Sequence, residues 1–80
     1  MITGSQIRAA RNGLRWTLQE LATATNLSVS SIKRVEADDG VPTISAKSLA
    51  YIQTTLEAAG IQFIGSPDDA PGIRIHRRPD

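Results

Sequence analysis

The chain contains no cysteine, so neither a disulfide framework nor a thiolate metal site is available to it. It has one histidine, His76, near its end and with no Ser/His/Asp relay beside it in sequence. No glycine-rich phosphate loop is present. Asp38 and Asp39 are adjacent carboxylates without a third ligand, which reads as loop solvation and not as a metal site. These absences argue against an enzyme, and no cofactor or metal is expected. No apolar run approaches the roughly 18 residues of a membrane span. The N-terminus lacks a basic region followed by an apolar core, so a soluble, cytoplasmic protein is expected.

Net charge is also small, +1. Its distribution is more telling. Residues 1–37 carry Arg8, Arg11, Arg15, Lys33 and Arg34 against Glu20 and Glu36, whereas residues 38–80 hold four cations against six carboxylates. The positive charge therefore gathers in the first half. Eighty residues suit one small domain with a modest core. A second copy of the chain is then a natural source of extra burial.

What is present is a succession of helix signals. Thr3 with Gln6 three residues later forms a capping box, and Ile2 with Ile7 a hydrophobic staple, predicting a helix over about 4–12 with Ile7, Ala10 and Leu14 inward. Thr17 with Glu20 repeats the device for a helix over 18–25, where Leu18, Leu21, Ala22 and Thr25 share a face. Trp16 and Leu21 make its staple. Asn26 interrupts the pattern with a residue that enters the left-handed region at low cost. Ser28 then caps a helix over about 29–37, with Ile32 and Val35 inward and Ser30, Ser31, Lys33 and Arg34 outside that stripe. Ala22 is small where the two helices must cross. The loop 38–44 contains the turn pair Asp39-Gly40 and Pro42. Ser45 caps a last helix over 46–59, whose Leu49, Ile52, Leu56 and Ala59 recur at helical spacing before Gly60 stops it. Tyr51 lies off that stripe, at a surface or an interface.

Beyond Gly60 the period changes to two. In IQFI, Ile61 and Phe63 point one way; in GIRIH, Ile73 and Ile75 share a face opposed by Arg74 and His76. The turn-rich SPDDAP lies between them. Two short strands over 61–76 are predicted, and residues 77–80 as a frayed tail. A lone hairpin is marginal in water, so it needs a cover. It can pack back on the last helix or meet a partner's strands across a two-fold axis. The second arrangement is the expectation, with Ile61, Phe63, Ile73 and Ile75 as the dimer interface.

Leu21-Ala22, Asn26, apolar Leu27, then Ile32, Val35 and Glu36 resemble the lambda-repressor-like, XRE-type helix-turn-helix of bacterial DNA-binding proteins over roughly Thr3 to Gly60. The tail LEAAGIQFI followed by PGIRI is similar to short regulators of this class. The resemblance implies a mainly α fold: a four-helix lambda-repressor-like domain over 1–60 followed by a short C-terminal β-hairpin. It implies a sequence-specific regulator of transcription, a repressor acting as a homodimer on double-stranded DNA. By position, Val29, Ser30 and Arg34 face base edges in the major groove, Arg34 being able to meet guanine O6 and N7. Thr17, Gln19, Ser28, Ser31 and Lys33 fall where phosphates run, the start of the second helix also offering free N–H groups.

Arg11 has two readings, a phosphate contact or a structural ion pair with Glu36; the resemblance favours the pair. Leu18 stands where the family commonly has glutamine, and the loop after the third helix is acidic where the family's is often basic. A near-palindromic operator would place half-sites ~34–36 Å apart. Two rivals remain in view: an antitoxin whose C-terminal strands bind a toxin protein, and an interaction module with weak DNA binding.

Overall fold

The computed structural model describes residues 1–76, so Arg77, Arg78, Pro79 and Asp80 of the expected tail lie outside the described residues. Four helices come first, α1 (Gly4–Gly13), α2 (Leu18–Thr25), α3 (Val29–Glu36) and α4 (Ala46–Ala58). Two antiparallel strands follow, β1 (Ile61–Ser66) and β2 (Asp69–Ile75). This is the mainly helical fold with a terminal hairpin that the sequence predicts.

Each helix begins where a side chain can take up its orphan amides. The Thr3 and Thr17 hydroxyls accept from the Gln6 and Glu20 amides, and the Gln6 and Glu20 side chains accept from Thr3 and Thr17 in return. Ser28 and Ser45 accept from the amides of Ser31 and Ser48. Each such cap is worth about 1 kcal/mol. Asn26 ends α2 in the left-handed region, φ 57° and ψ 33°. That conformation turns the chain sharply enough for α3 to start three residues later.

The centre of the core is Ile7, Leu21, Ile32, Ile52 and Leu56, one or more from every helix and all fully buried. Burying each removes about 1.5–3 kcal/mol of apolar exposure. Gly4 sets how closely α1 approaches α3. Its amide donates to the Gly40 carbonyl at 2.9 Å, and a Cβ there would collide with the backbone carbonyls of Val35 and Asp38.

The strands pair within the chain, with Ile61 opposite Ile75, Gln62 opposite Arg74, Phe63 opposite Ile73 and Ile64 opposite Gly72. The turn is tighter than the whole SPDDAP stretch, because β1 and β2 continue to Ser66 and Asp69. A two-residue loop favours a positive φ at its first position, which the ring of Pro67 forbids. The irregularity falls instead at Gly65, φ 75°, where the register slips between Ile64 and Ser66, and at Ala70, φ 51°.

The inner face of the hairpin is covered by its own chain, against the expectation that it would meet a partner's strands. Ile61 is 3% exposed within the core, and Phe63 and Ile73 pack on the same cluster. The buried Gln6 amide of α1 fastens it further, Nε2 donating to the carbonyls of Ile64 at 3.1 Å and Gly72 at 2.9 Å. The physical reason is availability. α4 already presents apolar surface beside β1 and α1 beside β2, and an intramolecular cover carries no association entropy. Only Ile75 of the four expected interface residues stays exposed, at 41%.

Candidate nucleic-acid interface

The outward face of α3 is built by elimination. Ile32, Val35 and Glu36 are drawn inward, which leaves Ser30, Lys33 and Arg34 exposed and Val29 and Ser31 half-buried. Among the described residues, Lys33 and Arg34 have no hydrogen-bond or ion-pair partner. Arg34 also lines a cavity of about 220 Å³ with Val35, Asp38, Pro42 and Ile44. Both cations lie in the last turn of α3, where they complement the negative end of its dipole.

The start of α2 lies in the same region of the sequence pattern but is chemically less open. Thr17 is exposed, its oxygen accepting from the Glu20 amide at 3.0 Å while its hydrogen stays free to donate. The Glu20 carboxylate accepts from the Thr17 amide at 2.8 Å, so a negative charge sits beside the N–H groups that would meet a phosphate. Gln19 is exposed and donates to the Thr23 hydroxyl at 3.1 Å. Leu18 is half-buried against the core, a packing residue with nothing to offer a phosphate. At the start of α3 the Ser28 hydroxyl donates to Ser31 Oγ at 3.0 Å, so of these two serines Ser31 retains the free hydroxyl hydrogen.

Arg11 and Glu36 are brought together. Nε and Nη2 reach the two carboxylate oxygens at 2.7 Å and 3.0 Å, with the side chains only 14% and 7% exposed. The hydrogen bond to Glu36 raises the Arg11 pKa above its ordinary value, with burial opposing. The third nitrogen, Nη1, donates to the Trp16 carbonyl at 3.0 Å. Arg11 therefore joins the end of α3 to the residue before the α2 cap, and so ties α2 and α3 together. It is not available to a phosphate.

Sequence reasoning assigned nothing to Arg8. Its Nη1 donates to the Glu36 carbonyl at 2.6 Å, satisfying one of the orphan acceptors at the end of α3, and its Nη2 lies 3.5 Å from Asp39. The only signal in sequence was its three-residue spacing from Arg11, which puts both arginines on one face of α1. The acidic loop is also explained in part by structure: Asp38 accepts from the Gly40 amide at 3.0 Å, and Asp39 faces Arg8. Both serve the loop and the α3 terminus. Among the described residues no group of acids and histidine could hold a metal ion, and no helix is long and apolar enough to cross a membrane.

A helix-turn-helix family profile matches residues 7–46, half of the chain, spanning most of α1, all of α2 and α3 and the cap of α4. No curated protein matches the chain.

Proposed function

For a chain that belongs to the XRE-type helix-turn-helix family, a family of DNA-binding regulators, we propose that α3 reads the major groove of an operator and that the protein represses transcription by occupying it as a homodimer. The observation that carries this reading is the division of labour among the cations. Arg8 and Arg11 are tied to the end of α3, whereas Lys33 and Arg34 on α3 itself are unpaired and exposed. Their donors are therefore open to an anionic partner outside the chain.

In this reading Arg34 donates to a guanine, Val29 contacts a thymine methyl and Ser30 adds an unselective hydrogen bond. Lys33, Thr17, Gln19 and Ser31 position the domain on phosphates, with Ser28 holding the α3 terminus that faces the groove. Glu20 and Leu18 keep the α2 contribution small, so a single copy binds weakly and two copies on a near-palindromic site bind usefully.

The test is selection of bound duplexes from a random pool, then titration of the chosen duplex across a salt series. Affinity should fall steeply with salt. Arg34→Ala should lose about 1–3 kcal/mol and relax base preference at one position per half-site, while Lys33→Ala weakens all duplexes about equally. Equal affinity for a scrambled duplex, or a flat salt response, would sink the reading.

A further inference from the structure

We propose that the outer face of α4 is a self-association surface, on which a second copy of this chain packs its own α4 antiparallel about a two-fold axis. This rests on the dimeric reading above and says where the copies meet.

The inner face of α4 is committed to the core through Leu49, Ile52 and Leu56. The opposite face carries Lys47, Ala50, Tyr51 and Thr54, all exposed. Tyr51 is 53% exposed, a large aromatic without cover on a helix that is otherwise well packed. Thr54 directs its hydroxyl into its own helix, donating to the Ala50 carbonyl at 2.9 Å, so its hydrogen requires no acceptor elsewhere. The middle of this face is therefore uncharged and able to be dried.

The charges at its ends say what covers it. Three helices follow the dipole rule: α1 has Arg11 in its last turn, α2 has Glu20 in its first, and α3 has Lys33 and Arg34 in its last. α4 alone is reversed. Its first turn holds Lys47 and its end holds Glu57, with no acid in the first turn and no base in the last. Each charge opposes the dipole of its own helix. Lys47 has no partner among the described residues, and Glu57 has only a 3.4 Å contact with Gln53.

An antiparallel second α4 resolves both defects at once. Centred at Ile52, the two-fold sets Lys47 level with Glu57 of the second copy, twice over, and Tyr51 within one residue's rise of its Thr54. Each lysine then lies at the negative end of the neighbouring helix and each glutamate at the positive end. A parallel pairing would set lysine on lysine. The hairpin cannot supply the interface through Ile61, which its own chain already buries.

The experiment is sedimentation equilibrium of the full chain over its soluble concentration range, at low and high salt. The parent should show a monomer–dimer equilibrium that weakens with salt. Tyr51→Glu should weaken association by about a hundredfold, since each dimer loses two central aromatic contacts. Lys47→Glu and Glu57→Lys should each weaken it by about tenfold, and the two combined should restore it to near the parent value, because the pairs re-form with exchanged signs. Circular dichroism checks that every variant folds; the combined exchange should melt no lower than the parent, as it also corrects the helix dipole. A parent monomeric at every concentration, a Tyr51→Glu variant that associates normally, or a combined exchange that fails to restore association would each overturn the proposal. A monomer that still binds a half-site duplex overturns only the α4 contact. A dimer that binds no selected duplex leaves the contact standing and overturns the DNA reading.

Discussion

Gln6→Glu separates local from tertiary reasoning at a single position. A capping box accepts Glu or Gln at this place, and an acidic group in the first turn gains about 0.3–1 kcal/mol from the helix dipole. Judged by α1 alone, the substitution is neutral or mildly stabilising. In the fold, the Gln6 amide donates to the carbonyls of Ile64 and Gly72 at 3.1 Å and 2.9 Å from a buried position. A carboxylate donates nothing and meets two carbonyl oxygens instead.

Losing two hydrogen bonds costs about 1–3 kcal/mol, and placing an unpaired charge against acceptors adds to it. After the dipole gain the net loss is about 2 kcal/mol or more. The protein is expected to have only about 4–12 kcal/mol of stability in all, so Tm should fall by about 10 °C or more. Burial and the two carbonyls raise the folded-state pKa of the introduced carboxyl above its unfolded value of about 4.3. The folded state then holds that proton more tightly. The penalty is therefore smallest below the unfolded pKa and grows as pH rises through the folded one. Urea unfolding followed by circular dichroism at acidic and neutral pH measures the cost. Amide exchange should show residues 61–75 opening more than α4. A variant within about 0.5 kcal/mol of the parent at pH 7, with unchanged hairpin exchange, would refute the argument.

Three further outcomes are expected. Arg11→Met should cost about 3–5 kcal/mol because it strands the buried Glu36 carboxylate, whereas adding Glu36→Met should recover much of that loss; a urea double-mutant cycle with no coupling would contradict the bidentate pair. Gly4→Ala should destabilise by about 1–3 kcal/mol, since its Cβ would meet the carbonyls of Val35 and Asp38 and drive α1 off α3; an unchanged thermal melt would mean that the approach is looser. Asn26→Ala should cost about 1–2 kcal/mol for a left-handed alanine while Asn26→Gly costs less, a ranking that chemical denaturation can reverse or uphold.

The local vocabulary of the fold was readable because each signal acts within a few residues. Thr3, Thr17, Ser28 and Ser45 cap because their own oxygens reach amides three positions on, and Asn26 turns the chain by its own φ. The outward face of α3 was readable in part for the same reason: helical spacing alone separates Ile32 and Val35 from Lys33 and Arg34. What those cations do depends on the rest of the molecule. Arg8 and Arg34 have the same chemistry, yet one satisfies the α3 carboxyl terminus and the other has no partner among the described residues.

From the sequence alone came the number and order of the elements and the side of each helix that faces inward, because short-range spacing and caps determine those. Tertiary structure alone decided where the hairpin goes. Period-two alternation says that Ile61, Phe63, Ile73 and Ile75 share a face, but it carries no information about what covers that face. The cover is selected by surfaces distant in sequence: α1 and α4 supply apolar contact, and Gln6, some sixty residues away along the chain, supplies the donor that two strand carbonyls accept. Such long-range complementarity has no local signature. It exists only once the chain has brought those groups together.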